Sequence, residues 1–456
     1  MSAKLPSYPT YKDSGVKWLG DLPKHWDTAV LKRMAHTELS NIDKKTAEDE
    51  TSIKLCNYLD VYRNQTITAD LDFMVASASK EQIVRLALRR GDVIITKDSE
   101  TPDDIGVPAL VADHMAGVVC GYHLALLRAY PRVTCASYLA CALRSISLRA
   151  QFSTSAVGIT RFALGKYKIE NAILPKPPIE EQTKIAEFLD IETGKIDALI
   201  VEQRRLIELL REKRPAIISH AVTKGLSPEV SMKESGIDWL GRVPRHWDVA
   251  RLAYFATVEN GATPSRDDIQ YWTNGQIPWL ASGEVNQLRI NEAGECITQR
   301  ALRDCSLRIL PIGTVVVGLV GQGKTRGMSA ILCIPAAINQ NLAAVCPGSR
   351  LSSEYLLNVF QAAYTSLRED GRGGNQAAMN CKMLASLRIP VPPKHEQTEI
   401  AAFIDSSLAR IDALEKQSTS SIELLQERRS ALVSAAVTGR MDVRNYRPQE
   451  VTAVCQ

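Results

Sequence analysis

"KDSGVKWLGDLPKHWD", Lys12 to Asp27, returns 221 residues later as "KESGIDWLGRVPRHWD", Lys233 to Asp248. A second block repeats too. "PPIEEQTKIAEFLDIETGKIDALIVEQRRLIELLREKRPAIISHAVT" begins at Pro177, and "PPKHEQTEIAAFIDSSLARIDALEKQSTSSIELLQERRSALVSAAVT" begins at Pro392. The two run without a gap to Thr223 and Thr438. About half the aligned positions are identical, far above the ~5–10% that common residue usage gives. Between the blocks, Met34 to Glu170 and Phe255 to Ser386 barely resemble each other. A solenoid repeats every ~20–50 residues, so this is not one. The pattern is that of one scaffold, made twice, presenting two different surfaces.

The repeated blocks read as long helices. Ile196, Leu199, Gln203, Leu206, Leu210 and Ile217 recur near 3-4 spacing, as do Ile411, Leu414, Ser418, Leu425 and Leu432. Such a stripe is an a/d-like seam, weakened at Gln203 and Ser418. A ~30-residue helix is about 45 Å long and cannot bury its stripe alone. The simplest solution pairs the two helices antiparallel, with a pseudo-two-fold axis and a globular domain at each end. The alternative is two helical hairpins that never meet. Pro215 lacks a backbone donor and is expected to kink or restart the first helix. Pro175, Pro177 and Pro178, and Pro390, Pro392 and Pro393, mark the joints where a strand ends and a helix starts. Glu181, Gln182, Glu396 and Gln397 follow these joints and suit capping or partner docking.

The variable stretches read as mixed α/β. "GDVIIT" (Gly91 to Thr96), "GTVVVG" (Gly313 to Gly318) and "AILCI" (Ala330 to Ile334) are buried-strand candidates. "SYLACALRSISLRAQF" and "SSEYLLNVFQAAYTSLRED" read as amphipathic helices in equivalent places.

Composition sets outer bounds. The chain has 456 residues, 45% of them apolar and 23% charged, with a net charge of +4. That excludes a uniformly basic coat, though not a local basic groove. The ten cysteines include no C-x-x-C pair, which points to reduced thiols and to neither a zinc site nor a disulfide framework. No signal-like N-terminus and no run of ~18 apolar residues occurs, so a cytoplasmic protein is expected.

"GLVGQGKT", Gly318 to Thr325, fits the phosphate-loop pattern G-x-x-x-x-G-K-[ST] letter for letter. A working loop needs a helix opening at the lysine. Here Gly327, an apolar β-like run and Pro335 follow instead, and the first half lacks the motif. A Gly-rich turn carrying Lys324, Thr325 and Arg326 fits better, either contacting phosphate or simply joining two strands. His25-Trp26 and His246-Trp247 have no companions at metal-ligand spacing and read as packing residues. No catalytic residue and no metal ligand is assigned.

The "SG-x-x-WLG-x-x-P-x-HW" openings, the "PP-x-x-EQ" joints and the "AVT" helix ends, each present twice, resemble the specificity subunits of type I restriction–modification enzymes. "GATPSRDDIQYWTNGQIPWLASGEV" and "INQNLAAV" are similar to the family as well, and the resemblance covers essentially the whole chain. It implies an α/β (α+β) fold with two target-recognition domains held apart by two antiparallel helices. It implies a non-catalytic subunit whose domains each read one half of an interrupted DNA target. Two modification subunits using S-adenosylmethionine, and restriction subunits using ATP and magnesium, are the implied partners. The expected boundaries are 1–174 and 227–389 for the recognition domains, 175–226 and 390–442 for the helical spacers, and 443–456 for a tail. Readout is expected from Tyr62, Arg63, Asn64, Gln65, Lys97 and Arg161 in the first variable region. Tyr271, Trp272, Asn274, Gln276, Gln322, Lys324, Arg326 and Gln340 are the candidates in the second. A phosphate-loop ATPase and a two-headed protein adaptor are the rival readings.

Overall fold

The computed structural model describes residues 6–321, 324–369 and 379–447. The chain divides into two compact units that do not follow its linear order. The first takes the residues up to Gln203 and from Ser420 onward, and the second takes Arg204–Thr419. Each is described by itself.

In the first unit a five-stranded sheet runs in the order Ala35–Leu39, Leu124–Ala129, Asp92–Thr96, Pro108–Val111, Thr66–Ile67. All neighbours are antiparallel except the last pair, which is parallel. A smaller sheet has Thr51–Cys56 at its centre, antiparallel to Met74–Ala78 and parallel to Val118–Cys120. The second unit repeats both sheets strand for strand. Ala256–Asn260, Leu342–Pro347, Val315–Gly318, Ser329–Leu332 and Arg289–Ile290 form the large one, again with only the last pair parallel. Ile277–Leu280 is central in the small one, antiparallel to Glu295–Ile297 and parallel to Ala337–Ile338. The variable stretches, so unlike in sequence, are one topology built twice.

The central strands Asp92–Thr96 and Val315–Gly318 are buried along their whole length, as continuous apolar runs require. The helix Ser353–Glu369 lays Tyr355, Leu356, Val359 and Phe360 into the second core. Its counterpart was expected as one helix but is two, Ala136–Arg144 and Ile146–Ser155. Ser145 breaks it by taking an extended conformation (ψ 148°), with its hydroxyl donating to the Ala142 carbonyl at 2.7 Å. A serine that satisfies the backbone from its own side chain competes with the helix.

The long helices are Ile179–Lys224 and Lys394–Val437. The first continues through Pro215 without restarting. In the second unit Arg214 pairs with Asp412, and Arg211 lies 3.8 Å from Glu415. Partner numbers fall as residue numbers rise, so the two segments are antiparallel. In the first unit Arg429 pairs with Asp197 at 2.8 Å. Arg214–Asp412 and Asp197–Arg429 occupy matching positions of the repeat.

The seam differs in part from the expected one. Ile196, Leu210 and Ile411 are buried, and Ile217, Leu425 and Leu432 are half-buried. Leu199, Leu206 and Leu414 are not covered, at 52%, 38% and 44% exposure. Ile200 is buried beside Leu199, and Ile207 is half-buried beside Leu206. Stepping i+4 from Ile196 and from Gln203, instead of i+3, finds both. Several leucines stand on the open side of the stripe, and the smaller Ser418 is the buried residue.

Twin anchors fix each helix start to the opening block. Glu181 accepts from Trp26 Nε1 at 2.8 Å and lies 2.7 Å from His25 Nε2. Glu396 does the same with Trp247 at 2.9 Å and His246 at 2.6 Å. Gln182 and Gln397 are wholly buried. Gln182 accepts from Cys135 N and donates to the Val133 and Pro177 carbonyls. Gln397 accepts from Ser352 N and donates to the Arg350 and Pro392 carbonyls. The "EQ" pair of each joint is therefore an internal staple, and each histidine stands exposed with its ring nitrogen on the glutamate.

The chain ends close the same joint differently. In the second unit the first long helix runs through Gly225, at φ +74°, into the opening block. In the first unit Gly439, at φ +69°, lies at the matching helix end, and a Cβ there would come 2.4 Å from Pro23. The chain's beginning meets it non-covalently. Tyr11 Oη donates to the Gly439 carbonyl at 2.9 Å and Asp442 N–H to the Pro6 carbonyl at 2.8 Å.

Candidate nucleic-acid interface

In the first unit, four predicted residues meet in one cleft of about 420 Å3. Tyr62 and Arg63 end the helix Tyr58–Arg63, which Asn57 and Asp60 start as a reciprocal cap, and Asn64 and Gln65 follow it. Opposite them stand Arg144, Arg149 and Arg429, which the sequence reading missed. Arg144 donates to the Gln65 carbonyl, Arg429 to the Gln65 side chain, and Arg149 to the Asp103 carbonyl at 3.0 Å. Burial pulls the Arg144 guanidinium below its ordinary pKa, and Arg429 pushes the same way. Asp104 is the one carboxylate in the lining. Its hydrogen bond raises the Tyr62 phenol. Four guanidiniums line the cleft, with Arg429 also held by Asp197, and they suit it to phosphate or a base edge.

Lys97 and Arg161 lie elsewhere in that unit. Lys97 sits 4.5 Å over the Tyr122 ring, beside Asp98, which pairs with His123 at 2.9 Å. Arg161 is exposed at the tip of a hairpin.

In the second unit, Tyr271 and Trp272 sit on the edge of the small sheet. The Trp272 ring stacks at 3.8 Å on Arg266 and packs edge-on against Trp279 at 5.2 Å. Glu295 holds the same guanidinium with two 2.7 Å bonds. Arg266 and Trp279 were not among the predicted residues. Nothing in their spacing distinguishes a stacked arginine from a solvated one. Asn274 and Gln276 are exposed in the next turn, Asn274 at φ 57°, a conformation asparagine tolerates. Gln340 accepts from Thr263 at 2.5 Å, in the loop whose Asn341 carbonyl accepts from Leu319 N–H. Gln322 lies outside the described residues.

The phosphate-loop reading fails on the fold. Val315–Gly318 and Ser329–Leu332 pair antiparallel, and no helix opens at Lys324. Lys324 is exposed, and its carbonyl accepts from Tyr364 at 2.8 Å and Arg368 at 3.3 Å. Arg326 donates to the Arg368 carbonyl at 2.8 Å. These backbone groups are used to hold the turn onto the helix Ser353–Glu369. Lys324 lines a cleft of about 450 Å3 with Val285, Leu288, Met328, Ile218 and Leu408. It is the counterpart of the arginine cleft, with Arg214 where the first unit has Arg429 and Ile218 for Val433. The two surfaces thus differ in chemistry, one cationic and one mostly apolar. Among the described residues no group of three or more His, Cys, Asp or Glu could hold a metal ion. No helix among them is long and apolar enough to cross a membrane.

Residues 244–424 match the family described as the type I restriction modification DNA specificity domain. The chain is 25% identical over 203 residues to the EcoR124I/EcoR124II specificity subunit of Escherichia coli, covering 43% of this chain and 47% of that one. It is 23% identical over 452 residues to the putative MjaX specificity subunit of Methanocaldococcus jannaschii, covering 95% and 98%. The chain is similar to the specificity subunits of type I restriction–modification enzymes. The alignment with the E. coli subunit spans under half of that relative, and the archaeal one spans nearly all of its own. The HsdS subunit from Thermoanaerobacter tengcongensis has the same fold, with a TM-score of 0.60 at 19% identity over 92% of this chain and 98% of that one.

Proposed function

We propose that this chain is the non-catalytic DNA-recognition subunit of a type I restriction–modification enzyme. Each unit reads one half of an interrupted target. The observation that carries this is one sheet topology built twice on identical anchors, with different side chains displayed on each copy. Unlike surfaces read unlike half-sites, so the target is asymmetric. Residues 1–174 and 227–389 are taken as the reading domains. Residues 175–226 and 390–442 are taken as the spacers, and 443–456 as the tail. Tyr62, Arg63, Asn64, Gln65, Lys97 and Arg161 serve the first half-site. Tyr271, Trp272, Asn274, Gln276, Gln322, Lys324, Arg326 and Gln340 serve the second, with phosphate contacts outnumbering base contacts.

The chemistry belongs to partners. Two modification subunits carry S-adenosylmethionine, and restriction subunits carry ATP and magnesium. The complex works in the cytoplasm, on DNA. The test is a methylation map of the host genome with and without this chain. Loss of one interrupted, asymmetric motif on deletion is the expected result. An unchanged map, with the partner subunits present, overturns the reading.

A further inference from the structure

The strands Val157–Gly158 and Phe162–Ala163 pair antiparallel and close over three residues, Ile159, Thr160 and Arg161. The second strand is fixed on Asp98–Ser99, which seats the hairpin on the first unit. A Cβ on Gly158 would lie 1.9 Å from the Arg161 carbonyl oxygen, so this closure admits only glycine there. At the tip, Ile159 is 94% exposed, more than any other large apolar side chain among the described residues, and Val157 is 74% exposed. An aliphatic side chain held out by a tight turn gains nothing from water. Charges of both signs lie near it, with Asp98 on the strand that seats the hairpin and Glu100 just past that strand. Arg161 stands beside it, and the following helix Lys166–Glu170 exposes Lys166, Tyr167 and Lys168. Glu170 is the acid of that stretch, 3.8 Å from Lys166. An apolar point beside an exposed guanidinium suits a polyanion that offers an apolar group in a groove.

B-DNA meets that description. Its major groove admits a two-stranded ribbon, and the thymine 5-methyl is the apolar group displayed there. We propose that Ile159 enters the major groove of the first half-site and reads a thymine methyl, with Arg161 as the adjacent cation. This rests on the reading of the chain as a DNA-recognition subunit.

The experiment uses the assembled methyltransferase and a duplex carrying the mapped motif. Each thymine of the first half-site is replaced in turn by deoxyuridine, which lacks only the methyl. At one position the wild-type complex is expected to bind about fourfold more weakly, the worth of one buried methyl. The Ile159→Ala complex is expected to bind the thymine and deoxyuridine duplexes equally, while the same replacements in the second half-site affect both proteins alike. Ile159 is solvent-exposed, and unchanged second-half discrimination certifies that the variant is folded. A first half-site without thymine, no deoxyuridine effect in the wild type, or an effect that survives in Ile159→Ala overturns the proposal. Each of those results leaves the recognition function standing. Absence of any motif dependent on this chain is the separate result that removes the function itself.

Discussion

At the residue scale, the repeated letters earn their place through hydrogen bonds. Trp26 and Trp247 are wholly buried, and each indole N–H has a glutamate oxygen in reach, Glu181 or Glu396. A buried donor left without an acceptor costs about 1–3 kcal/mol. Glu181→Ala is expected to destabilise the first unit by roughly that amount in a denaturant melt. Glu181→Gln, which keeps an acceptor, is expected to cost less. Asp442 supplies a pH-dependent counterpart. The Arg444 guanidinium holds its carboxyl below the usual carboxylate range. A depressed folded pKa means stabilisation present above the unfolded value near 3.9 and lost as pH falls through the folded one. The closure between Asp442 and Pro6 is therefore expected to loosen in acid below about pH 4, seen as faster amide exchange at Asp442. Asp442→Asn is expected to remove that pH dependence.

At the element scale, the sequence located the long helices, their proline joints and the strands Asp92–Thr96 and Val315–Gly318, because periodicity and proline are local signals. It missed part of the covered stripe. Leu199 and Ile200 are equally apolar, and only the partner helix decides which of them it covers. Ile200→Ala is expected to cost about 2–4 kcal/mol, as a buried truncation does, and Leu199→Ala under about 1 kcal/mol. Thermal melts of the two single variants, side by side, check the seam, and equal losses would contradict it. The Gly318–Thr325 stretch teaches the converse. Its letters satisfy a phosphate loop, but the strand that follows Lys324 folds back antiparallel where that function needs a helix.

At the scale of the whole molecule, the repeat is cyclic. The joint that the second unit makes through the covalent run 223–227 is made in the first unit by the chain's two ends, through Asp442 with Pro6 and Tyr11 with Gly439. A chain opened between Leu226 and Ser227, with a short linker joining residues 6 and 447, is expected to fold and to direct the same methylated motif. Loss of folding in that permutant would show that the covalent joint, not the anchors, holds the second unit together.

The sequence by itself determined that one scaffold is made twice, where its long helices run, and which family it resembles. Those are properties of repetition and local periodicity, and each can be read along the chain. Only the tertiary structure decided that the two variable stretches share one sheet topology, because sheet order is a matter of long-range pairing that dissimilar side chains can equally satisfy. It also decided that Arg144, Arg149 and Arg429 face Tyr62–Gln65 across one cleft, that Trp272 stacks on Arg266, and that Ile159 stands in the open. These residues lie on different elements, and their meeting is set by how those elements pack, which no spacing along the chain encodes.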